Sequence, residues 1–355
     1  MKITRIESRV ENVPLARPYT IAFRSIDDVQ MSFVELTSDD GLTGFGCASP
    51  EPHVTGETRE ACNAALSEDA LAWLEGGDPR TLPALCRALA DRMPSTPAAR
   101  AAVDMALHDL LAQHLGIPLV EMLGRAHQSL PTSITVGIKP VEETIEEAEE
   151  YVGRGFKILK IKLGHSLEED LARLARVREH IGGDVGIRVD PNQGYSAAEV
   201  VRFVEQTRDL DIEFLEQPMA ADDIDAMRAL PDTVRARLAA DETLLDARDA
   251  LRLIEPPRAC GIFNIKLMKC GGVHAAGRIA DIAMCSGIEL MWGCMDESIV
   301  SISAALHVAL ASPATRYLDL DGSLDLARDV VEGGFVLEDG FMRTTTEPGL
   351  GVRAL

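Results

Sequence analysis

The 355-residue chain predicts an α/β protein: a (β/α)8-type barrel that follows a small α+β capping domain. Three observations predict it. From about residue 132, eight short apolar runs alternate with helix-length amphipathic segments. Five charged residues, Lys162, Asp190, Glu216, Asp241 and Lys266, sit at or just past the ends of such runs, with gaps of 28, 26, 25 and 25 residues. The residues before about 125 lack this period and read as a short sheet followed by helices.

The elements follow in order. Residues 2–12 and 31–37 alternate polar and apolar side chains, as strands do. Ser38-Asp39-Asp40-Gly41 is a turn signal, and Leu42 to Cys47 reads as the return strand. Thr58 to Leu74 carries a helical pattern. Pro97, just after Ser95 and Thr96, suits the first turn of a helix over 97–115 that ends near Gly116-Ile117-Pro118. These elements make a capping domain of residues 1–125. The barrel strands are expected at Ser133–Gly137, Ile158–Leu163, Val185–Val189, Ile212–Leu215, Leu238–Ala240, Ile262–Leu267, Ile288–Trp292 and Arg316–Leu320, within a domain of residues 126–323. The glycine-rich segment 324–355 is expected to return to the capping domain. An open doubly wound sheet would need a glycine-rich first turn, and no GxGxxG is present.

Composition narrows the partners. With 35 basic and 57 acidic residues the net charge is −22, and no basic stripe is visible, which argues against nucleic acid. Such a field favours a cationic small ligand. The longest apolar stretches fall far below the ~20 residues that cross a bilayer, so no membrane partner is expected. The opening MKITRIESRVENV has no signal-peptide core, so a soluble cytoplasmic protein is expected. The seven cysteines form no CxxC pair and no zinc spacing, and read as free thiols.

The chemistry lies at the strand ends. In Lys157-Ile158-Leu159-Lys160-Ile161-Lys162-Leu163, alternation puts Lys160 and Lys162 on one face, which must point into the barrel because Ile161 and Leu163 need the outer layer. Burial and a neighbouring ammonium are both expected to lower such a lysine's pKa toward the range of a general base. Asp190, Glu216 and Asp241 each follow a strand directly. One such acid could cap a helix, but three at matched positions point to a metal. Oxygen donors without His or Cys suit Mg²⁺ rather than Zn²⁺. In a ring of eight, the second and sixth strands are opposed, so Lys162 and Lys266 face each other across that metal. This permits removal of a proton from one face of a carbon and its return on the other.

These residues resemble the enolase superfamily, in its muconate-lactonizing-enzyme-like group, whose barrel is a modified TIM barrel. The matching motifs are Lys160-Ile161-Lys162, Asp190-Pro191-Asn192, Glu216-Gln217-Pro218, Asp241-Glu242 and Lys266, in order and spacing along nearly the whole chain. A Lys base acting with Mg²⁺ on an enediolate is a general feature of that superfamily. The resemblance implies one Mg²⁺ per subunit on Asp190, Glu216 and Asp241, an acid/base pair of Lys162 and Lys266, and Lys160 holding a substrate carboxylate. Asp319 and Asp321 share a face of the eighth strand, and this Asp-x-Asp looks like the dipeptide-epimerase signature that binds a substrate's terminal ammonium. Thr135 joins the implied substrate-binding set. A muconate cycloisomerase or an o-succinylbenzoate synthase has no ammonium to bind.

The side chain of the dipeptide is read from weaker residues. Arg24 matches an arginine that grips glutamate in Ala-Glu epimerases. Glu51 and Asp296, with Asp27 and Asp28, favour Lys or Arg substrates by charge pairing. Arg24 could instead pair with one of these acids. The reading leans to cationic dipeptides, with an L-Ala-D/L-Glu epimerase of murein peptide metabolism as the alternative and hydrophobic dipeptides behind both. A non-catalytic metal- or peptide-binding barrel would have little reason to keep both opposed lysines. Of the histidines that tempt as bases, His53, His108 and His165, His108 reads as a core or interface residue, and Met291 and Trp292 read as barrel packing. Relatives in the group often form symmetric assemblies, so a homo-oligomer is an open expectation.

Overall fold

The structure is a computed structural model that describes residues 1–21 and 24–355, with side chains described outside 18–26. The chain opens with an antiparallel three-stranded sheet, β1 (Ile3–Ile21), β2 (Arg24–Ser38) and β3 (Thr43–Ala48). The first two strands outrun their alternating segments because they continue as a paired ribbon past a register shift after Pro14. The expected helix from Thr58 to Leu74 is instead broken. Ser67 accepts a hydrogen bond from Ala70 N and starts a new turn, leaving α1 (Arg59–Ala65), a turn over Glu68–Leu71 and a 3-10 turn over Ala72–Leu74. Helices α2 (Leu82–Arg92) and α3 (Pro97–Leu115) follow, and α3 starts at the proline and stops at Gly116, as expected. It is buried nearly all round, since it packs both against β3 and against the barrel.

The barrel has eight parallel strands: β4 (Ile134–Val136), β5 (Ile158–Lys162), β6 (Gly186–Asp190), β7 (Ile212–Glu216), β8 (Leu238–Ala240), β9 (Ile262–Ile265), β10 (Glu289–Gly293) and β11 (Thr315–Asp319). Each pairs with its sequence neighbour, and the ring closes where Ser133 N donates to Leu318 O at 3.0 Å. Helix α4 (Val141–Gly153) follows β4, the single turn α5 (Leu267–Cys270) follows β9, and α6 (Ile299–Ala311) follows β10.

Strand parity explains why packing and chemistry occupy successive layers. Phe214, Ala239, Ile262 and Met291, with Tyr317, form a cluster of their own inside the ring. Arg188 closes that layer by stacking 5.5 Å over Phe214 and 5.1 Å over Tyr317. Two residues further along the strand direction, on the same face, stand Asp190, Glu216, Asp241, Asn264 and Asp319. The apolar plug therefore supports a charged layer at the C-terminal rim, where barrels carry their sites.

Beyond the barrel lie four short strands, β12 (Val331–Gly333), β13 (Phe335–Glu338), β14 (Phe341–Thr344) and β15 (Val352–Ala354). Ala16 N donates to Asp325 O at 2.7 Å, Ala327 N to Pro14 O at 3.0 Å, and Leu350 N to the Asp109 carboxylate at 2.8 Å. The C-terminal segment is thereby tied to β1 and to α3. Among the described residues no helix is long and apolar enough to cross a membrane.

Candidate active site

The rim gathers the charged ladder. Leu159 and Ile161 are fully buried on the outer face of β5, and Lys160 and Lys162 project inward. Lys160 Nζ lies 2.8 Å from Asp319 Oδ2, 2.7 Å from Glu216 Oε2 and 3.3 Å from Asp190 Oδ2. Lys162 Nζ lies 2.6 Å from Asp190 Oδ2. On the opposite side of the ring, Lys266 Nζ lies 2.8 Å from Asp241 Oδ2. Asp190, Glu216 and Asp241 stand on or just after three adjacent strands between these poles. Asn264 Nδ2 donates to Glu216 Oε1 at 2.7 Å and fixes its rotamer.

Electrostatics give the rim a specific deficit. Burial and then Asp190 push the Glu216 carboxyl up to about 8, and burial and Asp241 push Glu242 up to about 7. Burial also pushes Asp190 up, but Lys162 and Lys160 outweigh it and hold its carboxyl below the usual range. Asp241 goes the same way, where Lys266 and Lys269 outweigh burial. Six carboxylates (Asp190, Glu216, Asp241, Glu242, Asp319, Asp321) face four ammonium groups (Lys160, Lys162, Lys266, Lys269). Carboxylate outnumbers ammonium at the rim, and the raised Glu216 and Glu242 record an excess of negative charge that a divalent cation would relieve. Unused acceptors are present too. Lys160 is close to Glu216 Oε2 but off the line of a hydrogen bond, so that oxygen, like Glu242 Oε2 and Asn192 Oδ1, is buried without one. The oxygen-only donor set suits Mg²⁺.

The expected depression of the lysines is not found for Lys160 or Lys266. Burial lowers both, but Asp319, Glu216 and Asp190 around Lys160, and Asp241 and Glu216 around Lys266, hold them above the ordinary lysine value. Each lysine faces more carboxylate than ammonium, so the neighbouring ammonium does not decide its proton affinity.

The remaining expected residues divide. Asp319 accepts from Ser133 Oγ at 2.6 Å as well as from Lys160, and Asp321 accepts from Thr135 N at 2.7 Å. Thr135 thus enters the site through its backbone. Glu51 lies in the loop after β3, where its side chain accepts from His53 N, and Asp296 is buried after β10, its carbonyl accepting from Ser49 Oγ at 2.9 Å. Both line the same cavity as Lys160, Lys162 and Lys266. The Arg24 side chain lies outside the described residues. His53 lines the cavity mouth and His165 is exposed. His108 is buried far along α3, its Nδ1 2.7 Å from Asp104 O, and Trp292 is buried with Nε1 donating to Thr315 Oγ1 at 2.9 Å.

Sequence reasoning missed Lys269. Its Nζ is buried and donates to Asp241 O at 2.7 Å, to Asn264 O at 3.0 Å and to the Asp241 carboxylate. The available signal was its spacing: three residues after Lys266, on a helical turn, it shares that lysine's side of the rim. Asp325, on the cavity wall, was missed as well.

Two family models match. "Enolase C-terminal domain-like" covers residues 143–354, and "Mandelate racemase / muconate lactonizing enzyme, N-terminal domain" covers residues 4–124. Among curated proteins, the chain is 62% identical over 352 residues to an L-Lys-D/L-Arg epimerase of Methylococcus capsulatus, covering 99% of both chains. It is 54% identical to an L-Lys-D/L-Arg epimerase of Desulforapulum autotrophicum, covering 100% of both. Among solved structures it is similar, at a TM-score of 0.98 and 62% identity over 99% of both chains, to a dipeptide epimerase from Methylococcus capsulatus complexed with Mg and the dipeptide L-Arg-D-Lys.

Proposed function

Because the chain belongs to the mandelate racemase/muconate lactonizing enzyme family of enolase-type barrels, we propose that it is a Mg²⁺-dependent dipeptide epimerase acting on cationic, Lys- or Arg-containing dipeptides. The observation that carries this reading is the pairing of two opposed lysines, Lys162 and Lys266, with the Asp319/Asp321 pair at one rim.

Asp190, Glu216 and Asp241 would hold the ion, which when bound supplies Lewis-acid stabilisation of a substrate carboxylate. The residues do the rest. Asp321 has one oxygen engaged by Thr135 N, and the other, among the described residues, meets only the Cys294 thiol at 3.8 Å, which leaves it to take the substrate's terminal ammonium. That contact sets one end of the dipeptide at β11. The carboxylate end then reaches the centre of the ring, where Lys160 can exchange a protein carboxylate for the substrate's. The α-carbon of the second residue lies between the poles. One lysine removes its proton, Lys160 faces the negative charge that develops on the carboxylate, and the other lysine returns a proton to the opposite face. Each lysine serves one epimer.

The acids at Glu51 and Asp296 and the two L-Lys-D/L-Arg epimerase relatives support cationic over acidic dipeptides. Exchange of substrate α-protons for deuterium in D₂O, across a panel of L,L-dipeptides with Mg²⁺ present, tests the reading. Fastest exchange is expected for Lys- and Arg-containing members. Preferential exchange of L-Ala-L-Glu would overturn the cationic assignment, and no exchange from any member would overturn epimerisation.

A further inference from the structure

The cavity wall beyond Asp321 holds a carboxylate, Asp325, with no ion-pair partner among the described residues. Asp325 lies in the stretch after β11, and its backbone is fixed to the cap, with Ala16 N donating to Asp325 O at 2.7 Å and Leu15 bridging Leu326. Its side chain lines the cavity. Among the described residues nothing donates a hydrogen bond to its carboxylate, and none lies within ion-pair distance. Its acidic neighbour Glu147 differs. Arg17 Nη1 lies 3.2 Å and Lys139 Nζ 2.7 Å from the Glu147 carboxylate, and Tyr151 Oη donates to it at 3.3 Å. Arg17 is further engaged by Glu150 at 3.1 Å. Burial, then Asp296, then Glu147 push the Asp325 carboxyl up to about 6, and Arg17 and Arg154, beyond ion-pair distance, offset only part of this.

Position tells which part of a dipeptide would meet it. Asp325 is close enough to Asp321 to raise that carboxyl's proton affinity, and Tyr151 feels both. The wall on this side is built from β4, α4 and the stretch after β11, the same side as the Asp319/Asp321 pair. The two lysine poles lie deeper in the ring, on β5 and after β9. A dipeptide with its ammonium on Asp321 and its second α-carbon between the poles directs its first side chain toward this wall. An independent observation points the same way: the solved relative at 62% identity was complexed with L-Arg-D-Lys, whose first residue is cationic.

We infer that Asp325 is a specificity-determining residue that pairs with the side-chain cation of the amino-terminal residue of the substrate, an inference that rests on the dipeptide-epimerase reading. It selects Lys or Arg at the first position, and leaves the second to other acids of the cavity. A charge-assisted contact in a half-buried wall is expected to change selectivity roughly tenfold or more.

The test is Asp325→Asn in the full chain with Mg²⁺, assayed on L-Lys-L-Arg and on L-norleucyl-L-Arg, a substrate of similar length without the first-position charge. The ratio of their kcat/KM values is expected to fall roughly tenfold or more from the wild-type ratio, through KM for the lysyl substrate and not through kcat. Asp325→Glu, which restores the charge, is expected to recover part of the ratio. An unchanged ratio in Asp325→Asn overturns the inference, as does an equal loss on both substrates. If the wild-type protein exchanges α-protons of neither substrate nor of any other dipeptide, the epimerase reading itself has failed, and the inference falls with it. A wild type that epimerises but shows no ratio change in the variant sinks the Asp325 assignment alone.

Discussion

Two regions of this molecule bury ionisable groups densely, and they use them in opposite ways. One is the barrel rim. The other is the seam between cap and barrel along α3, where Asp104, His108 and Asp109 are buried. At the seam, backbone groups hold much of the charge: Asp104 lies 3.2 Å from His108 but also accepts from His274 N at 3.3 Å. Asp109 accepts from Phe45 N at 2.9 Å and from Leu350 N at 2.8 Å, and His307 of α6 accepts from Val120 N at 2.8 Å. At the rim, among the described residues, Lys160, Lys162 and Lys266 answer only side-chain carboxylates. A buried charge bound to backbone groups cannot change partners without unfolding something. A buried charge held by other side-chain charges can exchange one of them for a ligand. By this criterion the rim is the working region and the seam a structural one. Lys269 is the instructive exception, since it sits in the rim but is anchored by two carbonyls as well as by Asp241.

The largest expected effect tests the rim. Lys266→Ala should lower epimerisation by roughly 10²–10⁴-fold, the usual contribution of a general acid/base, with the thermal unfolding midpoint little changed. The remaining Lys162 should still exchange the α-proton of one epimer with D₂O and return deuterium to the same face. Exchange of both epimers at comparable rates in this variant would refute the two-pole arrangement.

Next comes the seam. Asp109→Ala leaves two buried N–H groups without acceptors, and is expected to cost about 2–4 kcal/mol of stability in urea unfolding at neutral pH. The kcat of the folded fraction should stay within about twofold, since Asp109 is remote from the rim. A large kcat loss without a stability loss would dissolve the distinction between the regions.

Lys269 sharpens the comparison because it belongs to both sides. Lys269→Met removes a charge that orients Asp241 and should weaken Mg²⁺ binding and activity about 10–100-fold, as loss of a group supporting a metal ligand generally does. Calorimetric titration with Mg²⁺ alone separates the two readouts. Unaltered Mg²⁺ affinity would make Lys269 a purely structural residue.

The smallest effect is a pH dependence at the seam. Burial pushes the His307 imidazole down to about 3 in the folded protein, against about 6.5 when unfolded. The neutral ring is the form that accepts from Val120 N. Its contribution is therefore fully present above about pH 6.5 and is lost progressively as pH falls toward 3. Urea midpoints measured across that window should show a shallower decline in His307→Asn, which cannot take up the proton. Parallel curves for the two proteins would count against this assignment.

Much of the rim was legible because strand periodicity makes it so. A residue that ends one barrel strand has a counterpart one β/α unit later, so Lys162, Asp190, Glu216, Asp241 and Lys266 announce themselves by interval alone. Asp325 has no such periodicity. It lies beyond the last strand, and its place on the cavity wall is set by pairing with β1, some 300 residues earlier in the chain. Lys269 ends no barrel strand, and its partners include two carbonyls that only the fold brings near. The capping helices were harder for a local reason. The apolar pattern from Thr58 to Leu74 is continuous, but Ser67 competes for the backbone and interrupts it. The lysine pKa values failed for want of a count of facing charges, which interval and alternation do not supply.

The turn that carries Lys266 and Lys269 is gripped from the cap. Arg100 of α3 donates to Cys270 O at 3.0 Å, and Asp104 accepts from His274 N at 3.3 Å. At Gly271 and Gly272, with φ of 90° and 108°, a Cβ would lie 2.0 Å from Arg100 Nε and 2.4 Å from Asp104 Oδ1. The two modules are therefore not freely interchangeable parts. A cap grafted from a distant relative would need its own match to that glycine pair, or it would shift Lys266 while leaving Lys162 in place. Divergence of substrate preference within such a scaffold is then channelled into loops and wall residues, because the joint between the modules also sets the position of Lys266.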